Sequence, residues 1–352
     1  MSEGLKKFEQ RKKDHITLSL DSKTQNLAST DFDRIGLIHH AMPDFNFSDV
    51  SLKTKLLGHT FSSPHFISSM TAGHAESLSV NSILASAAAE KNWLMCVGSQ
   101  RRELIDADAK KEWQKIRTKN PKTQFVSNIG IEELISTKPD QILDLVKNLN
   151  AIGLIIHLNP LQEIFQKSVA NFKNSKKSLE QIISKSKVPI IIKEVGSGIS
   201  AELMNQFFKM GVHVVDVSGR GGTHWGVLES FRNERLQTNA FNEWGQSAVQ
   251  CLLSSEKIVS KNHVWASGGI RSGVDSAKCL VLGARAVGIA QPLMKAAVQQ
   301  SKNQLKKSKS LSQVMGQFDF ELKTALFCMG MINCEQAVKV FGSKKKVWYE
   351  TR

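Results

Sequence analysis

Short runs of apolar and β-branched residues recur along the chain, at 65–70, 95–98, 124–128, 154–158, 189–195, 213–217, 263–267 and 286–290. Each run has the length of a buried strand. Apart from one longer and two shorter intervals they start about 30 residues apart, the length of one βα unit. The stretches between them carry helical spacing. Residues 76–91 are rich in Ala, Leu and Ser, and 132–149 place Leu134, Ile142, Leu145 and Leu149 on one side. Residues 201–210, 245–254 and 273–282 read the same way, and 310–340 predict a last helix with Leu322, Leu326, Met329 and Ile332 on its apolar side.

Strands that are apolar throughout are buried on both faces, and alternation with helices makes the sheet parallel. Eight such units predict closure into an α/β (β/α)₈ TIM barrel; an open doubly wound sheet is the alternative. The expected organisation is a helix and capping segment over 1–60, the barrel over 61–300, and helices packed on it over 301–352. The longest interval, between the sixth and seventh runs, holds residues 222–245 and predicts an inserted loop over the barrel mouth.

Composition adds limits. Hydrophobic residues make up 41% and charged residues 22% of the 352, which excludes disorder over most of the chain. No run approaches the roughly 18 apolar residues of a membrane span, and the basic start lacks the apolar core of a secretory signal. The five cysteines form no CxxC pair, so reduced thiols and a cytoplasmic location are expected. The net charge of +15 favours anionic partners. The excess is scattered lysine, and only 7% of residues are aromatic, so no nucleic-acid module is expected.

Barrel enzymes place their sites at the C-terminal ends of the strands. Those ends hold Met70 and Thr71; Ser99, Gln100 and Arg101; Asn128; His157, Gln162 and Glu163; Lys193 and Glu194; Asp216, Ser218 and Thr223; Gly268, Gly269 and Arg271; and Ala290 with Gln291. The Gly268-Gly269-Ile270-Arg271 turn follows the seventh strand, where barrels bind phosphate. Its glycines allow close backbone approach, and Arg271 offers a bidentate contact. A competing signal is Gly196-Ser197-Gly198-Ile199-Ser200-Ala201, which matches a dinucleotide fingerprint but lies in the fifth unit rather than the first. Lys193 suits a Schiff base, an anionic cofactor ring or a snorkelling rim position. Glu163 suits either Mg²⁺ shared with substrate phosphates or a favourable first helical turn. His39-His40 lacks partners at metal spacing, and Trp113 and Met329 read as packing.

Together these residues resemble the type 2 isopentenyl-diphosphate isomerases, the flavin-dependent class. The resemblance runs from Arg11 to the last helix through RKKDHI, SSMTAGH, VGSQR, SNIG, IHLNPLQE, IIKEVGSGIS, DVSGRGGTHW, ASGGIRSG and GARAVGIAQPLMKA. It implies FMN, Mg²⁺ and a reductant such as NADPH, with a small diphosphate substrate and a homo-oligomer of four or more subunits. It implies flavin contacts from Ser69, Met70, Thr71, Ser99, Asn128, Lys193, Ser218 and Thr223, and FMN phosphate contacts from Gly269, Arg271, Ala290 and Gln291. Arg11, Lys12, Ser99, Gln100, Arg101, His157 and Gln162 would meet the substrate and Glu163 the Mg²⁺, with Lys193, Gln162 and His157 nearest the chemistry. One departure is Ala72 in the turn after the first strand, where the family usually has a second glycine. The alternatives are another FMN barrel oxidoreductase, of the hydroxy-acid oxidase or inosinate dehydrogenase type, and a non-enzymatic basic binding protein.

Overall fold

The computed structural model describes residues 3–25, 30–70, 75–167, 170–233, 240–259, 263–303, 309–343 and 347–351. Its centre is a closed barrel of eight parallel strands: β1 (His65–Ile67), β2 (Leu94–Cys96), β3 (Phe125–Gly130), β4 (Leu154–Leu158), β5 (Ile190–Glu194), β6 (Val214–Asp216), β7 (Val264–Ser267) and β8 (Ala286–Ile289). β8 pairs with β1 and β7 with β6, so the ring has no edge. This is the predicted barrel, and the open doubly wound sheet is excluded.

Strand periodicity decides what the barrel encloses. Side chains alternate between the interior and the surrounding helices. Phe66, Leu94, Val126, Ile155, Ile191, Val214, Trp265 and Ala286 form one buried interior cluster. The Phe66 and Trp265 rings lie 4.9 Å apart within it. The antiparallel hairpin Thr54–Leu56 and His59–Phe61 adds Leu56 and Phe61 to the same cluster. Two residues further along, the same strands present Ser68, Asn128, His157, Lys193, Asp216, Ser267 and Gly288. The barrel is therefore apolar below and polar above. This two-residue step, one strand period, builds the floor of the site.

Several helices differ from the pattern-based expectation. Residues 132–149 form two helices, Ile131–Ser136 and Pro139–Leu149, because Pro139 sits in the first turn of the second and cannot continue the first. The 310–340 segment is a helix over Leu311–Cys328 and a shorter one over Cys334–Lys339, interrupted at Gly330 with φ +69°. Residues 222–245 are not simply a loop, since Trp225–Arg232 is helical and begins on the His224 side chain as its cap.

Candidate active site

The N-terminal helix α1 (Glu3–Ser19) lies across the barrel mouth beside α2 (Pro160–Lys167) and α3 (Trp225–Arg232). Arg11, Lys12, His15, Ile16 and Ser19 recur at three- and four-residue steps, which puts them on one face. That face lines the cleft. Glu229 on α3 is fully buried and pins the helix there. It accepts hydrogen bonds from His15 Nε2 at 2.7 Å and from Arg232, and from Gln162 Nε2 at 3.4 Å. Burial would raise the Glu229 pKa, but the His15 hydrogen bond and the neighbouring Arg232 charge lower it overall. The His15 ring packs edge-on against Trp225 at 5.3 Å.

On the cleft floor Lys193 is buried and donates to Glu194 O at 2.7 Å and Ser218 Oγ at 2.6 Å. His157 Nδ1 lies 2.9 Å from Asn128 Oδ1, while Asn128 Nδ2 donates to Val97 O at 3.0 Å. Because that amide oxygen accepts, His157 carries its proton on Nδ1 and keeps Nε2 as an acceptor. Burial pushes its pKa down to about 4, so it is neutral at ordinary pH. Burial also lowers the Lys12 pKa, against the pull of Glu133, Glu229 and Glu163. Arg101 pairs with Glu133 at 2.8 Å. Asn159 Nδ2 donates to Gln162 Oε1 at 3.0 Å and to Glu163 Oε1 at 2.9 Å.

At the opposite wall the loops after β6 and β7 meet glycine to glycine. A Cβ on Gly268 would fall 1.9 Å from Gly219 O, and one on Gly222 would come 3.2 Å from Gly269 N. Gly268 and Gly269 have φ of +94° and +75°, which disfavours side chains there. The helix Gln291–Ser301 opens at Ala290 beside this turn and also lines the cleft. Backbone N–H groups and a helix N-terminus together suit an anion.

The cleft gathers Arg11, Lys12, Ser69, Met70, Ser99, Arg101, Asn128, His157, Gln162, Glu163, Lys193, Ser218, Thr223, Gly269, Arg271, Ala290 and Gln291. Thr71 and the Ala72 departure lie outside the described residues. Gln100 stands apart from these residues. It is buried behind the cleft wall, where its Oε1 accepts from Asn128 N–H at 3.0 Å and its Nε2 donates to Glu103 at 2.8 Å. Arg271 is exposed, and its guanidinium donates to Gly269 O at 2.8 Å. The fingerprint-like turn at 196–201 does not make a nucleotide crevice: its Gly196 and Ser197 N–H groups are occupied by the Glu194 carboxylate. Motif reading missed Glu229 and His15, and also Gln166 and Glu133, which line the cleft. The helical stripe from Arg11 to Ser19 would have pointed to His15. Glu229 contacts it across 214 residues, which no local pattern reveals.

The model of the FMN-dependent dehydrogenase family matches residues 14–129 and 155–339. An isopentenyl-diphosphate delta-isomerase of Bdellovibrio bacteriovorus is 39% identical over 99% of this chain and 100% of its own length. The chain belongs to the isopentenyl-diphosphate delta-isomerases. It is therefore an enzyme of an FMN-dependent family. Isomerases of this name from Legionella pneumophila (strain Corby) and Metallosphaera sedula share 40% and 33% identity, covering 94% and 97% of this chain and 96% and 95% of theirs. A mutant flavocytochrome b2 with pyruvate bound shares the fold at TM-score 0.68 and 16% identity, covering 93% of this chain and 82% of that one. A mandelate oxidase mutant matches at 0.61 and 17%, over 92% and 90%. The cleft of this chain lies at the C-terminal ends of the barrel strands. Among the described residues no helix is long and apolar enough to cross a membrane.

Proposed function

We propose that this chain interconverts isopentenyl diphosphate and dimethylallyl diphosphate with reduced FMN and Mg²⁺. The observation that carries this reading is the pairing, within one cleft, of a glycine-lined anion cradle with a second cationic corner across the Lys193 floor. One anion site suits the FMN phosphate and the other suits a diphosphate. FMN fits the residues present: Ser69 Oγ is buried without a hydrogen-bond partner, and the Gly222–Gly269 approach leaves little room for a Cβ where a phosphate would meet the backbone. Ser69, Met70, Ser99, Asn128, Ser218 and Thr223 would hold the ring and ribityl chain, and Gly269, Arg271, Ala290 and Gln291 the phosphate.

The reaction adds one proton at the terminal alkene carbon and removes one from the carbon two bonds away, so atoms and electrons balance without net oxidation. Reduced FMN, when bound, would supply acid–base chemistry at a ring nitrogen. Lys193 would present a cation to the cofactor ring and tune its electronics. Arg11, Lys12 and Arg101 hold the diphosphate, and energy from that remote end serves positioning at the alkene. Neutral His157 offers an acceptor at Nε2, and Gln162 an amide, beside the hydrocarbon. α1 excludes water, which matters because an unactivated alkene is a poor base.

Among the described residues no group of three or more His, Cys, Asp or Glu is arranged around a metal. Glu163, whose Oε1 shares the Asn159 Nδ2 donor with the Gln162 amide oxygen, fits a Mg²⁺ shared with substrate phosphates instead of an ion held by protein alone. NADPH as reductant, and assembly into a tetramer or larger, belong to the same reading. The family-model match favours a second reading, net oxidation of a hydroxy acid.

The test is a spectrum with paired assays. The purified protein should be yellow or take up FMN, bleach under dithionite, and isomerise isopentenyl diphosphate only when reduced. A protein that refuses FMN, or that oxidises a hydroxy acid without isomerase activity, would refute this function.

A further inference from the structure

Resting on that reading, we propose that Asp216 is a positioning residue that pairs with the Lys193 ammonium and directs it into the cleft, although Asp216 does not itself line the cleft. The strand register places the two side by side, Lys193 on β5 paired with Asp216 on β6. Both point into the barrel, and Asp216 is 1% exposed. Its Oδ2 lies 3.7 Å from Lys193 Nζ, beyond hydrogen-bond range, so the carboxylate acts on the ammonium through charge.

The carboxylate itself is held from two directions. Ser267 Oγ on β7 lies 2.8 and 3.0 Å from its two oxygens. The Ser218 N–H donates to Oδ1 at 3.2 Å. Ser218 thus bridges the pair, its N–H on the acid and its hydroxyl accepting from the ammonium. Two of the three ammonium N–H bonds are spent on Glu194 O and Ser218 Oγ. The third remains for a group in the cleft.

A buried ammonium is costly to desolvate unless a counter-charge lies close to it. The charged groups facing Lys193 from neighbouring elements sharpen the need. Arg101 and Lys12 lie near enough to depress His157, as Lys193 does. His157 is neutral, and the Cys96 thiol below is pushed far up by burial first and by the Asp216 charge second. Two buried carboxylates therefore act on Lys193: Glu194, which is taken up by the Gly196 and Ser197 N–H groups, and Asp216, which faces the ammonium from β6. Asp216→Asn keeps the shape and the Ser267 and Ser218 contacts while removing that charge.

The test is a double-mutant cycle read by FMN affinity and potential rather than turnover. FMN dissociation constants are measured by fluorescence quenching at pH 8 for wild type, Asp216→Asn, Lys193→Met and the double variant. Asp216→Asn should weaken FMN binding at least tenfold when Lys193 is present and less than twofold when it is methionine, since coupled residues are non-additive. Its bound flavin should also show a lower midpoint potential, about 30 mV for each tenfold loss specific to the reduced form.

An equal factor in both backgrounds would make Asp216 a structural residue and overturn the proposal. So would an unchanged affinity or a raised potential. If Asp216→Asn does not fold, Ser267→Ala in the same cycle keeps the charge but frees the carboxylate. It should give a smaller loss that again requires Lys193, and a loss independent of Lys193 would overturn the proposal. A wild-type protein that binds no FMN would sink the proposed function instead, which separates the two failures.

Discussion

Replacing Glu229 by glutamine should release α1 from the barrel mouth while leaving the barrel folded. Glu229 is fully buried and receives His15 at 2.7 Å, Gln162 at 3.4 Å and Arg232. Hydrogen bonds to a charged group contribute about 1.5–3 kcal/mol each. Glutamine keeps one oxygen and the side-chain volume, so roughly one such bond is lost, about 2 kcal/mol. That corresponds to about a 30-fold shift in the docking equilibrium. Amide exchange in residues 11–19 should accelerate by up to that factor, while β3–β5 stay protected. Because Arg11 and Lys12 ride on the same helix, affinity for inorganic diphosphate should fall by no more than the loss of docked population. Titration calorimetry of diphosphate and hydrogen exchange on one sample would measure both. Unchanged exchange in 11–19, or equal deprotection of the barrel strands, would refute the reasoning.

Gly222→Ala should weaken FMN binding about tenfold with little change in melting temperature, because the new methyl would sit 3.2 Å from Gly269 N. Equal FMN affinity in a fluorescence titration would remove this turn from the phosphate site. Stability should fall as pH drops from about 6.5 toward 4, since His157 and His15 are held neutral by burial and the unfolded chain takes up the protons first. His157→Gln should remove part of that acid slope in denaturation curves, and an identical slope would contradict it. Asp319 accepts from His65 Nδ1 at 2.8 Å and Trp93 Nε1 at 3.1 Å, tying the helix Leu311–Cys328 to the barrel. Asp319→Ala should cost about 2–3 kcal/mol in urea unfolding without altering FMN affinity; a loss under 0.5 kcal/mol would make that clasp unimportant.

The strands were legible because burial on both faces leaves apolar runs that few other structures tolerate. Ile190–Ile192 and Leu154–Ile156 are fully apolar up to the residues that enter the cleft. Lys193 and His157 stood out by breaking those runs, and strand period then carries them to the same level of the floor. Helix boundaries were less legible where one proline or glycine divides a continuous pattern, as at Pro139 and Gly330. Gln100 reads as a cleft residue in sequence because it stands between two of them, Ser99 and Arg101, whereas its own side chain turns back to Asn128. The 196–198 turn is set aside by its place in the fifth unit, and the structure adds the reason. A phosphate-like arrangement of N–H groups was already satisfied by an acid two residues away. Glu229 was invisible because its meaning depends on a helix folded back from the other end of the chain.

The most direct measurement is proton NMR of isopentenyl diphosphate incubated in D₂O with the protein, FMN, Mg²⁺ and dithionite. Dimethylallyl diphosphate carrying deuterium should accumulate under reduction and be absent with oxidised FMN. No conversion under reducing conditions by a protein that has visibly bound the flavin would contradict the proposed reaction.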